Sequence, residues 1–206
     1  MIGSVRLMPN NSNRNPDSLI SGFKDHISLC ADICNDLDLL NTILSVAECI
    51  TSALKGENKI LLFGCGGSAA DAQHIAAEFI NKLYILRKSL PALALTTDTS
   101  ILTAIGNDSG FDNIFSRQIE GLSKVGDVVI GISTSGNSPS VCKGLSVAHE
   151  HQCITVFLTS TKVSGDLSGY DFVIKVPSHN TARIQEAHMV ISHLICEIVE
   201  ISLFYE

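Results

Sequence analysis

Short aliphatic runs at residues 60–63, 92–95, 128–130, 154–158 and 172–176 alternate with segments whose apolar residues recur at helical spacing. Runs this short and this apolar suit strands buried on both faces. The helical segments fall at about 69–84, 98–122 with a turn at 106–110, 139–150 and 181–204. Two more occupy about 18–54, with a break near 35–38. Strand and helix in alternation predict an α/β fold, a doubly wound and mostly parallel five-stranded sheet flanked by helices, preceded by an N-terminal helical hairpin. In such sheets ligands bind beyond the carboxyl ends of the strands.

Two glycine- and serine-bearing loops fall at that edge. After the third run come Ser133, Thr134, Ser135, Gly136, Asn137 and Ser138, then Pro139, a residue favoured in a helix's first turn. Unpaired N–H groups and the positive end of the helix dipole would face an anion there, and the hydroxyls add donors, so the loop predicts a phosphate site. The first run ends likewise in Gly64, Cys65, Gly66, Gly67 and Ser68.

At 206 residues the chain fits one domain, read as a single unit over 1–206 with the helices at about 18–54 as an oligomerisation appendage. The formal charge of −7 and the lack of a Lys/Arg cluster argue against a nucleic-acid surface. No uninterrupted apolar run is long enough to span a bilayer, and residues 1–16, rich in Asn and Ser, lack the order of a secretory signal, so they read as a flexible lead and the protein as cytoplasmic. Seven cysteines without C-x-x-C spacing read as reduced thiols, with Cys30 and Cys34 as small core residues.

His74 and Glu78 are four apart on the helix after the first glycine loop and share one face. Gln185 and His193, eight apart on the last helix, lie within roughly 80° of each other around its axis. Two imidazoles, a carboxylate and an amide oxygen form a donor set for zinc, and the same Glu and His can move protons. Spacing does not choose between His188 and His193 as the active imidazole, and His26 has no evident partner.

With these residues in place the chain resembles the sugar isomerase (SIS) domain family and, within it, phosphoheptose isomerases. Four blocks in order carry the resemblance: one from Gly66 through Asp71 and His74 to Glu78, a second from Leu95 to Asp108, the serine loop from Gly131 to Pro139, and a fourth from Thr181 through Arg183 and Gln185 to His188. The resemblance implies an aldose–ketose isomerase acting on sedoheptulose 7-phosphate, with Glu78 as the base between C1 and C2 and His193 moving protons on the oxygens. It implies one zinc per subunit on His74, Glu78, Gln185 and His193. Ser133, Thr134, Ser135 and Ser138 would take the phosphate, Ser68, Asp108 and Gln185 would touch the sugar, and the assembly would be a homotetramer with shared sites.

The chain departs from that pattern at Cys65, where Asn is usual, at Lys82, where Arg is frequent, in the loop 159–165, and at Ala182. Lysine keeps the charge of arginine but not its two-pronged donor geometry. Alternative readings are a non-catalytic relative associated with the replication initiator, or an isomerase of another phosphosugar. The first is disfavoured by the presence of both Glu78 and His193.

Overall fold

The computed structural model describes residues 15–205; the lead expected at 1–16 lies almost wholly outside them. Helix α1 (Pro16–Asn35) starts with Asn15 accepting from the Ser18 amide and with proline in its first turn. Asp36 ends α1 and caps α2 (Leu37–Lys55) by accepting from the Leu39 amide. A short acidic side chain at that position satisfies an otherwise orphan N–H.

Strands β1 (Ile60–Gly64), β2 (Ala92–Ala94), β3 (Val128–Ile132), β4 (Ile154–Ser160) and β5 (Phe172–Val176) form one sheet in the order β2-β1-β3-β4-β5. Every pairing is parallel. Between them lie α3 (Gly67–Ile80), α4 (Thr99–Ser109), a 3-10 turn (Phe111–Asn113), α5 (Ser116–Leu122) and α6 (Pro139–Glu150), and α7 (Thr181–Phe204) closes the chain. The order reverses between β1 and β3, which makes the gap beyond their carboxyl ends the expected ligand crevice.

Side chains alternate across the central strands with a period of two. Ile60, Leu62, Val128 and Ile130 join the core under α1, α2, α3 and α7, whereas Leu61, Phe63 and Val129 join the core under α5 and α6. Helix α2 buries Val46, Ala47 and Ile50 completely in the first of these cores. Of the two N-terminal helices only α1 is peripheral, burying Leu29 and Ile33 while Leu19, Phe23 and Ile27 are each at least 65% exposed. Helices α2 and α7 have the length and mean hydropathy, 1.4 and 1.6, of membrane spans, but they pack on each other and contribute to that same core.

Two boundaries differ from the sequence expectation. Helix α4 continues through Gly106 and breaks at Gly110, whose φ of 90° is the left-handed backbone that ends it. Helix α3 ends at Ile80, not near Tyr84. There the Glu200 carboxylate accepts from the amides of Leu83, Tyr84 and Ile85, and Arg87 donates to the carbonyls of Glu78 and Phe79. These contacts draw the chain off the helical path. Cys34 is exposed and Cys30 only half-buried, so neither is a core residue, and all seven thiols are unpaired.

Candidate active site

Glycines bring α3 close to its neighbours. A Cβ on Gly67 would overlap the Gln185 amide, and one on Gly64 would lie 2.7 Å from the Ser68 side chain. The predicted Ser68 is accordingly buried beneath β1. Both α3 and α6 begin at the reversal point between β1 and β3, and neither has a side-chain N-cap. Their first amides are therefore available to an anion.

The serine loop is shaped for this role. Gly136, at φ 70°, packs its backbone against Val163 and Thr159, leaving no room for a side chain. Ser160 donates to the Thr134 carbonyl at 2.7 Å, and the Asn137 amide donates to Ser135 Oγ at 3.2 Å. Ser133 is buried, Thr134 and Ser138 are half-buried and Ser135 is exposed, so the hydroxyls grade from the sheet outward. Cys65 Sγ, on the neighbouring β1 loop, lies 3.3 Å from Ser140 Oγ and 3.8 Å from Ser138 Oγ. In place of an amide donor, the chain thus sets a weakly polar thiol against the serine loop.

On α3 and α7 the structure unites three of the four predicted ligands. His74 Nε2 lies 3.2 Å from Glu78 Oε1 and 3.2 Å from His193 Nε2. One ligand atom from each of the three falls within 4.8 Å of the others. Two imidazole nitrogens facing each other so closely require a proton on one of them or a cation shared by both lone pairs. Tetrahedral zinc with bonds near 2.05 Å has donor–donor edges of about 3.3 Å, which the two separations from His74 Nε2 match, the three atoms lying within 4.8 Å of one another. The donor set fits a zinc ion. Gln185, about two turns before His193 on α7, donates through Nε2 to Asp71 Oδ1 at 3.2 Å.

Between the two candidate imidazoles, His193 joins the cluster and His188 does not. His188 is fully buried with Nε2 2.9 Å from the Thr159 carbonyl, and burial pushes its imidazole down to about 4 against the opposing effect of that hydrogen bond. It is a neutral core histidine at pH 7. His26, without an evident partner in sequence, has Nδ1 2.9 Å from Glu186 Oε2. Asp108 stands exposed in the last turn of α4, accepting from Asn107, and has no contact with the other predicted site residues among the described hydrogen bonds.

Asp71 falls in the first of the four sequence blocks, where spacing gave it no role; it lies three residues before His74, on the same helix face. Burial raises its carboxyl above the usual range, and the Gln185 hydrogen bond and nearby His74 oppose the rise. The Arg87–Glu200 pair, with both side chains only 2% exposed, had no sequence signal because its members are 113 residues apart.

A parallel sheet reversing at a hydroxyl-lined loop, with an acid–base cluster on the adjacent helix pair, defines a sugar-phosphate domain of the SIS class, and the SIS domain profile matches residues 28–160. Phosphoheptose isomerase of Aneurinibacillus thermoaerophilus is 49% identical over 91% of this chain and 95% of its own length. That of Aquifex aeolicus is 55% identical over 77% of this chain and 83% of its own length. The solved phosphoheptose isomerase of Neisseria gonorrhoeae superposes with a TM-score of 0.82 at 41% identity, covering 89% of this chain and 97% of that one. The chain belongs to the phosphoheptose isomerase family.

Proposed function

We propose that the protein interconverts sedoheptulose 7-phosphate and D-glycero-D-manno-heptose 7-phosphate in the cytoplasm, at the start of heptose synthesis for bacterial lipopolysaccharide or capsule. The observation that carries this is the meeting of Glu78, His74 and His193 across α3 and α7. Glu78, its side chain 19% exposed, removes the proton from C2 of the aldose and returns it to C1 through an enediol. His193 relays protons at the two oxygens. Groups positioned this way contribute on the order of 10² to 10⁴ in rate. The phosphate is held by Ser133, Thr134, Ser135 and Ser138 with the first amides of α6, which fixes the distant end of the chain, and Ser68 and Asp108 serve the sugar.

His74, Glu78, Gln185 and His193 would hold one zinc per subunit. When bound, the ion supplies Lewis-acid stabilisation of negative charge developing on the two oxygens.

The working form is proposed to be a homotetramer. In one chain the His74 side chain is 51% exposed, and enediol chemistry needs water excluded. Leu19, Phe23 and Ile27, at i, i+4 and i+8 on α1, leave an apolar stripe of the kind that another copy covers.

The test is to incubate the purified protein with sedoheptulose 7-phosphate in D₂O and follow the aldose by NMR. Wild type should form aldose and wash solvent deuterium into the exchanged position, while Glu78→Gln should do neither and His193→Ala should lose at least 10²-fold in rate. Undiminished turnover by Glu78→Gln refutes the assigned base, and a wild type inert with zinc supplied refutes the activity.

A further inference from the structure

We infer that Asp71 is a positioning residue that fixes which way the Gln185 amide faces, leaving its oxygen for the metal. The inference rests on the zinc set proposed above. A primary amide has two chemically opposite ends, and packing alone distinguishes them poorly because they are nearly equal in size. A carboxylate oxygen in contact with that amide can only accept, so it must meet the NH₂ end. Here Asp71 Oδ1 lies 3.2 Å from Gln185 Nε2. Asp71 is 7% exposed, and its other oxygen, Oδ2, is buried with no hydrogen-bond partner among the described residues. The carboxylate is therefore not committed to any competing donor. Gly67 completes the arrangement, because a side chain there would occupy the volume of the amide.

Carboxylates that orient metal ligands in this way typically change metal affinity 10–100-fold when removed. Orientation can be separated from simple charge attraction by reversing the polarity of the pair. In Asp71→Asn the new amide can present either end, so Gln185 loses its instruction, and zinc affinity read by competition with a chromophoric chelator should fall 10–100-fold. In Gln185→Glu two carboxylates oppose each other, and adding Asp71→Asn to that background supplies a donor to the new carboxylate. The same substitution at Asp71 should then strengthen zinc binding instead of weakening it.

Weakening by Asp71→Asn alone, with strengthening when it is added to Gln185→Glu, supports orientation. Weakening in both contexts overturns it in favour of plain electrostatic attraction, and no change in either overturns it outright. A wild type that binds no zinc defeats the metal reading itself, an outcome distinct from wild type binding tightly and Asp71→Asn binding equally well. Circular dichroism checks folding, and should Asp71→Asn not fold, Asp71→Ser, too short to reach the amide, takes its place: alone it should weaken zinc binding, and in Gln185→Glu it should strengthen it by removing one of the two opposed carboxylates.

Discussion

Removing the Glu200 carboxylate tests how the far end of α3 is held. Glu200 accepts four hydrogen bonds, from the amides of Leu83 at 3.2 Å, Tyr84 at 2.8 Å and Ile85 at 3.1 Å and from Arg87 Nε at 2.9 Å. In Glu200→Leu the Arg87 guanidinium is left without its counter-charge at 2% exposure. Breaking a buried pair from one side costs about 3–5 kcal/mol. Three orphaned amides would each add about 1–3 kcal/mol if they stayed dry. They do not all stay dry, because Lys82, Tyr84 and Leu86 are exposed and the segment can admit water. The expected loss is therefore about 3–5 kcal/mol, set by the charge. Arg87→Met combined with Glu200→Leu removes both charges and should recover at least half of it. Urea unfolding followed by circular dichroism, at one fixed protein concentration because assembly contributes to stability, reads both values. A Glu200→Leu protein within about 1 kcal/mol of wild type, or a double variant no better than the single, refutes the buried-charge account. Arg87 also donates to the Glu78 carbonyl at 2.8 Å, so Glu200→Leu should lower kcat even where the variant remains folded.

His188, at about 4 when folded against 6.5 when free, binds its proton only in the unfolded chain between those values. Stability should consequently fall by about 2 kcal/mol from pH 7 to 5, a slope that His188→Gln removes in pH-dependent urea titrations. For Glu200, burial raises the carboxyl but the amides and Arg87 outweigh it and hold it below the usual range. Its contribution is thus intact above the unfolded carboxyl's pKa and is lost only as pH falls through the lower folded value, which acid titration of Glu200→Gln against wild type would display. Gly67→Ala should keep the fold, since alanine favours helix by up to about 1 kcal/mol, yet should lower zinc affinity by displacing Gln185. Phe23→Asp with Ile27→Asp should reduce the assembly seen by light scattering, and activity with it, if α1 makes the contact between subunits.

The sheet was legible because each strand is a run of residues that alternate between two cores, and α2, α6 and α7 because their apolar positions recur at helical spacing. The end of α3 was not, because the acceptor that stops it, Glu200, is more than 110 residues away. The same distinction governs the site. His74 and Glu78 are neighbours on one helix, so four-residue spacing was sufficient to pair them. His188 and His193 are five apart and point to different sides of α7. Choosing between them needed the knowledge that the His188 face packs toward Thr159 of β4. The partner of His26 and the role of Asp71 depended likewise on where α7 lies against α1 and α3.

The order of polar contacts between α3 and α7 explains why the acid–base groups meet. Gln185 touches Asp71, His193 touches His74, and Glu200 holds the residues just beyond the end of α3, so contacts advance in the same direction along both helices. Two helices side by side could slide, and a slip of one residue moves a side chain about 1.5 Å along the axis. That is enough to open the 3.2 Å separation of the two imidazoles beyond shared contact. Ile75 and Phe79 of α3 and Ile191 and Ile195 of α7 share one close-packed core, which opposes such a slip. The polar contacts resist it strongly because hydrogen bonds are lost steeply with distance and angle. With one such contact on the N-terminal side of the imidazoles and a buried ion pair on the other, the register is pinned on both sides of the chemistry. Damage to either pin should therefore reach Glu78 and His193 without touching them.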